Sequence, residues 1–335
     1  MRVFSVTGLV LVLGAFSAFQ PPAGMAQDLK PLSISMEGYE YPHKVDFLPL
    51  TLEGQDLKMA YMDIKPEGQG NGKTVVLLHG KNFFGAYWQD TIRVLSRNGY
   101  RVVVPDQIGF GKSAKPNIHY SFHQLATNTK KLLDTLGLKE VAVVGHSMGG
   151  MLATRFALMY PEMATRLILE DPIGLEDYRV FVPYAPIEAL YANELSATEE
   201  SIRNYQKAYY VQWKPEYDEY VKVPSRQKLS GEYPRLALSA ALTYEMIYEQ
   251  PVCHEFPQVK AKTLLIVGQA DRTVVGKARV KKELLSQVGQ YPALGQQTAK
   301  AIPGASLVVI PNVGHIPHFE APERFHQELL AFLSK

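Results

Sequence analysis

The sequence has a single cysteine, Cys253, in 335 residues, which excludes an intramolecular disulfide and leaves stability to the core. With only His254 beside it, Cys253 reads as a packed or half-buried thiol rather than a nucleophile. An excess of one charge is also missing. Lys and Arg number 35 against 33 Asp and Glu, a net charge of +2 that gives no electrostatic footprint for nucleic acid. There is no internal repeat and no low-complexity segment. Beyond the first residues no run is apolar enough to cross a bilayer, which takes about 20 residues, so stable membrane insertion is not expected. No cofactor motif stands out. His315 and His318 lack the third ligand a metal would need, so neither cofactor nor metal is expected. Nothing specifies an oligomeric state.

The N-terminus is where an apolar run does occur. Arg2 supplies a positive charge, residues 3–19 are mostly apolar, and small residues stand at Gly24 and Ala26. Ser5, Thr7, Gly8, Gly14 and Ser17 interrupt the run and make it poor as an anchor. The pattern is that of a secretory signal peptide over residues 1–26, implying export to the periplasm or the medium. About 309 residues then remain, enough for one large domain carrying an inserted subdomain.

Two early segments, VDFLPLTL (45–52) and LKMAYMDI (57–64), flank Gly54, Gln55 and Asp56 and predict an antiparallel hairpin. The pattern then changes to short, continuous, β-branched runs: TVVLL (74–78), RVVVP (101–105), VAVVG (141–145), RLILE (166–170), TLLIV (263–267) and LVVI (307–310). Such runs mean strands covered on both faces, as in a parallel sheet. Helical stretches alternate with them, one of them opened by Ser121 as N-cap and closed by Gly137. The prediction is an α/β fold built on a mostly parallel sheet. The alternation stops across residues 172–257, which hold eleven of the nineteen tyrosines as well as Trp213 in helical patterns. An insertion at a strand's carboxyl end sits where ligands bind in open α/β sheets, so it reads as a helical cap. That leaves 27–171 and 258–335 as the core.

Gly145-His146-Ser147-Met148-Gly149 matches G-x-S-x-G with a strand before it and a helix after it. A serine hydroxyl needs a base, and the base needs an orienting acid. Among nine histidines, His315 follows the last strand on a loop entered by Gly314, with His318 as its local competitor. Asp271 stands just past the seventh strand as the acid, with Glu170 and Asp171, at the end of the sixth, as alternatives. Asp106 precedes the serine and suits turn-stabilising work. Oxyanion donors are expected from the backbone N–H of Met148 and from Lys81 or Asn82, with the Lys81 side chain reaching solvent.

Together HGKNFFGAYW, PDQIGFGKSAKP, GHSMGG, GQADRTV and GHIPHFEAPE resemble the α/β-hydrolase superfamily across most of the chain that follows residue 26. The resemblance implies an eight-stranded sheet with a helical cap after the sixth strand. It also implies Ser147 as nucleophile, Asp271 as acid and His315 as base. Two departures narrow it. Epoxide hydrolases and dehalogenases carry aspartate where Ser147 stands, and prolyl aminopeptidases show G-G-S-W-G. The expectation is a cofactor-independent serine hydrolase, a carboxylesterase acting on a small or medium acyl ester. C–C bond hydrolysis, lactone hydrolysis and haloperoxidase-like activity remain open to the same residues. A ligand-binding receptor on the same scaffold is the reading from another class.

Overall fold

Residues 29–335 are described by the computed structural model, and the leader expected over 1–26 lies outside them. Each short apolar run forms a strand. The hairpin is β1 (Val45–Leu52) and β2 (Gln55–Ile64), paired antiparallel from Val45 opposite Met62 to Leu52 opposite Gln55. There follow β3 (Thr74–Leu78), β4 (Arg101–Pro105), β5 (Val141–His146), β6 (Ala164–Glu170), β7 (Lys262–Gly268) and β8 (Ser306–Ile310). They form one sheet in the order β1-β2-β4-β3-β5-β6-β7-β8. The pairing is parallel from β4 through β8 and antiparallel where β2 meets β1 and β4.

Successive residues of a strand point to opposite faces, and here both faces are covered. Val75, Leu77, Val102, Val104, Val144 and Ile266 pack with one pair of helices, α1 (Gln89–Arg97) and α10 (Pro322–Ser334), through Ile92, Leu95, Phe325 and Leu329. Val76, Leu78, Val103, Val143 and Val267 face the other way, toward α2 (Phe122–Thr135) and α3 (Met148–Met159). That two-sided burial is why the strands read as unbroken apolar runs. Ser121 caps α2 as its type predicts, its hydroxyl accepting from the Gln124 N–H at 3.1 Å.

Between β6 and β7 lie α4 (Ile187–Ser196), α5 (Glu199–Lys207), α6 (Glu219–Gln227) and α7 (Tyr233–Glu249), with no strand among the described residues there. This insertion springs from the carboxyl edge of the sheet. Two features go beyond the sequence reading. Helix α8 (Tyr291–Ala301) links β7 to β8 but carries few apolar residues to mark it, burying Tyr291, Gly295 and Thr298. Residues 29–44 lie as a strap that buries Leu32, Ile34 and Met36, with the Leu32 N–H donating to the Arg226 carbonyl of α6 at 3.1 Å. The short α9 (Pro317–Glu320) precedes α10.

Asp106, at the end of β4, ties these parts together from a fully buried position. Its carboxylate accepts from the Tyr41 hydroxyl of the strap at 2.6 Å, the Gly85 N–H at 2.6 Å and the Lys112 N–H at 2.8 Å. Turn stabilisation describes only part of this work, because the strap is also anchored here. Hydrogen bonds to a charged group are each worth roughly 1.5–3 kcal/mol. Replacing Asp106 by Ala should therefore lower stability by about 4 kcal/mol in urea unfolding, with Asp106→Asn recovering part of the loss.

Candidate active site

The turn from β5 into α3 sets the position of Ser147. Its backbone has φ +56° and ψ −122°, in the region that L-residues rarely adopt. A Cβ at Gly145 would stand 2.1 Å from the Gly149 carbonyl oxygen, and one at Gly149 would stand 2.1 Å from that of Leu78. Only hydrogen fits at either position, so the glycines let β5, β3 and α3 close around the serine. The strained turn is pinned by the Ser147 N–H donating to the Glu170 carbonyl at 3.1 Å. The Ser147 carbonyl in turn accepts from the Gly150 N–H at 2.8 Å and the Ile173 N–H at 3.2 Å.

The loop after β8 lays His315 over that turn. His315 Nε2 lies 2.9 Å from Ser147 Oγ, and its Nδ1 lies 2.6 Å from Asp271 Oδ2. Asp271 follows β7, and its other oxygen accepts from the Thr273 N–H at 2.8 Å. Burial alone would raise the Asp271 carboxyl, but the charge and hydrogen bond of His315 outweigh it and hold the group below its usual range. Serine, imidazole and carboxylate thus form one hydrogen-bonded line built from the ends of three strands. The tautomer that serves it has the proton on Nδ1, facing Asp271.

The alternative residues take other places. His318 Nδ1 lies 2.8 Å from Glu170 Oε1 and its ring stacks on Trp88 at 4.4 Å, on a face of the core away from Asp271. Burial pushes His318 down to about 3 and Glu170 up to about 7. His146 is a spacer within the core, its Nε2 2.8 Å from the His315 carbonyl and its Nδ1 3.1 Å from the Tyr87 hydroxyl. Asp171 does not reach His315; its two carboxyl oxygens lie 3.0 Å from the Gly268 N–H.

Ser147 opens into a cavity of about 510 Å³ between the sheet edge and the cap, lined among others by Lys81, Phe110, Ile173, Gln206 and Ile247. Met148 stands at the first turn of α3. Among the described residues the N–H groups of Met148, Lys81 and Asn82 have no partner, so each is free to meet an oxyanion. The Gly80 N–H is taken by the Tyr87 hydroxyl at 3.1 Å. The Lys81 side chain corrects the sequence reading. Instead of reaching solvent it is only 14% exposed and pairs with Glu194 of α4 at 3.8 Å, because the cap lies above it.

Sequence reasoning missed Tyr209. This cap residue stacks on His315 with ring centroids 4.9 Å apart, and its carbonyl accepts from the His315 N–H at 2.7 Å. Its hydroxyl accepts from Asn82 Nδ2 at 2.8 Å, joining the cap to the loop after β3. One of eleven cap tyrosines, it carries no local signal, since only the folded cap brings it to the histidine. Among the described residues no group of three or more His, Cys, Asp and Glu side chains could hold a metal ion.

Residues 75–328 match the alpha/beta hydrolase family model. A solved structure of a probable hydrolytic enzyme from Pseudomonas aeruginosa PAO1 is 45% identical, with a TM-score of 0.88, covering 90% of this chain and 98% of that one. A 2-hydroxy-6-oxononadienedioate/2-hydroxy-6-oxononatrienedioate hydrolase of Paraburkholderia phymatum is 29% identical over 84% of this chain and 93% of its own. Lipase 1 of Psychrobacter immobilis is 27% identical over 85% of this chain and 83% of its own.

The contacts of Tyr209 separate in two substitutions. Tyr209→Phe removes only the Asn82 hydrogen bond, worth about 1 kcal/mol, and should slow fluorophosphonate labelling of Ser147 by less than about tenfold. Tyr209→Ala also removes the ring beneath the imidazole and should slow it by more than about tenfold. Equal rates in the two variants would show that the stack does not hold His315.

Proposed function

We propose, from the premise that the chain belongs to the alpha/beta hydrolase family, that it is an exported carboxylesterase acting on a small or medium acyl ester. The observation that carries this reading is the line from Ser147 Oγ through His315 to Asp271, with separations of 2.9 and 2.6 Å. His315 Nε2 takes the hydroxyl proton as Ser147 Oγ attacks the ester carbonyl. Asp271 keeps the imidazole in the productive tautomer and stabilises the imidazolium. The N–H groups of Met148 and Lys81 receive the oxyanion. The imidazolium then returns its proton to the leaving alkoxide, which departs as the alcohol. Water, deprotonated by the same histidine, releases the carboxylic acid and restores Ser147. The cavity of about 510 Å³ beneath the cap is of the size that holds a small molecule. Export rests on the signal-peptide pattern of residues 1–26.

A second reading is supported by the Paraburkholderia relative, named for a C–C bond hydrolase, because the same residues can resolve a vinylogous diketone. A panel of 4-nitrophenyl esters of increasing acyl length, run beside a dienoic diketone, discriminates the two. The carboxylesterase reading expects the esters to turn over faster and Ser147→Ala to cost about 10⁴-fold or more in kcat. Faster cleavage of the diketone would replace it with the C–C reading. Ester rates unchanged in Ser147→Ala would overturn both. Acylation of Ser147 without steady-state turnover would point instead to a receptor.

A further inference from the structure

A second cavity lies at the opposite edge of the sheet from Ser147, where the parallel strands begin. It measures about 480 Å³ and is lined by Lys73, Arg166, Lys260 and Lys262, by Tyr100 and, as the one carboxylate among the described residues, by Glu140. The strand pattern explains why these side chains converge. Two residues beyond Lys73, Tyr100, Arg166 and Lys262 come Val75, Val102, Ile168 and Leu264, all packed in the core beneath α1 and α10. Side chains two apart in a strand share a face, so all four turn toward that same side.

Two of the cations are fixed in place, but not by an anion. Lys73 Nζ donates to the Leu333 carbonyl of α10 at 3.1 Å, and the Arg166 guanidinium lies 5.5 Å from the centre of the Phe332 ring. Arg166 and Lys262 are register partners on β6 and β7, so two positive side chains stand directly opposite each other. Like charges so placed repel and weaken a sheet. Among the described residues none of the four cations forms an ion pair, whereas Arg101 at the start of β4 is held by Asp63 through bonds of 2.7 and 2.8 Å. Tyr100 adds a neutral donor. It is only 5% exposed with its ring in the core, and its hydroxyl has no hydrogen-bond partner among the described residues. Burial raises its pKa against the opposing charge of Arg166, so the hydroxyl keeps its proton at neutral pH and can donate into the cavity.

We propose that this cavity is a binding site for a phosphate-bearing anion, separate from the hydrolytic site. Four cations against one carboxylate call for more than a single negative charge, and a phosphate group supplies it where a lone carboxylate does not. The Arg166 fork meets two phosphate oxygens, the lysines act as point charges around it, and the Tyr100 hydroxyl donates to a further oxygen. Once bound, the anion replaces repulsion between Arg166 and Lys262 by attraction to both. The volume exceeds that of a bare phosphate and suits an organic one, either a soluble ester or a lipid headgroup.

The test is calorimetric titration of the protein with inorganic pyrophosphate at low, fixed ionic strength, a measurement that uses no turnover and so stands apart from the role of Ser147. Arg166→Gln should weaken binding by about tenfold or more, and Tyr100→Phe by about threefold or more. Lys131→Gln, which removes an exposed lysine of α2 on the other face of the sheet, should leave binding as in the wild type. Absence of saturable binding overturns the proposal. An equal loss in all three variants overturns it too, because it would show diffuse attraction by surface charge. Melting temperatures separate a ligand site from a structural one. Without pyrophosphate Lys262→Gln should melt above the wild type, and it should gain less when pyrophosphate is added. A lower melting temperature in both conditions would mean that Lys262 holds the sheet together, against the proposal. Phosphatidylcholine vesicles with and without phosphatidic acid identify the source of the phosphate. Co-sedimentation only with phosphatidic acid, reversed by pyrophosphate, assigns the site to a lipid headgroup, and calorimetric binding without co-sedimentation assigns it to a soluble ester.

Discussion

The structure depends on a close approach that only hydrogen atoms permit. Where β5 turns into α3, Gly149 lies against the Leu78 carbonyl and Gly145 against that of Gly149. Any side chain at either position would force α3 away from β3 and lower Ser147 out of the cavity. The same contact brings the loop after β3, with its free N–H groups, beside the serine. Nucleophile position and oxyanion donors are thus one constraint rather than two. The cost is a non-glycine residue at positive φ, of order 1–3 kcal/mol, offset by the hydrogen bond Ser147 donates to the Glu170 carbonyl and those it accepts from Gly150 and Ile173.

Electrostatically the site concentrates acids and imidazoles in a low-dielectric region with few cations. Asp271, Asp171 and Glu170 are all buried at the ends of β6 and β7, and each solves its burial differently. Asp271 uses the imidazole of His315, and Glu170 uses His318 and its backbone N–H. Asp171 has only the Gly268 N–H. The arrangement separates two imidazole–carboxyl pairs by a single core histidine, His146, whose ring lies 5.0 Å from His315 and 5.6 Å from His318. Stacking under Trp88 and the bond to Glu170 keep His318 out of the hydrolytic line, which leaves His315 as the only imidazole over the serine.

What could be read from the sequence follows from how local each signal is. Strands buried on both faces announce themselves as unbroken runs, so VAVVG and TLLIV were legible as β5 and β7 without neighbours. The turn at Ser147 was legible for the same reason, since its glycines answer contacts a few residues away. Helix α8 was not, because a helix with one narrow buried side and several polar residues has no strong period. The fates of Glu170, Asp171 and Lys81 were invisible for another reason. Each depends on which group from a distant segment arrives beside it: His318 for Glu170, the Gly268 N–H for Asp171 and Glu194 of the cap for Lys81. Tyr209 is the extreme case, a residue given its place by the packing of α5 and α6 over the sheet.

The strap of residues 29–44 carries a consequence for assembly. Met36 is part of the cavity wall, Leu32 is bonded to α6, and Tyr41 is bonded to Asp106. The earliest described stretch of chain therefore helps finish a chamber whose cap wall comes from residues up to about 200 positions later. Such long-range closure is slow relative to local helix formation, so the sheet can be complete while the chamber still lacks a side. During synthesis this segment, made before the cap, has to wait for it before it has anywhere to dock. Until it does, Asp106 lacks one of its three donors and the apolar lining stays open to solvent. The integrity of the pocket is thus reported by the N-terminal end of the fold, remote in sequence from every residue that would do the chemistry.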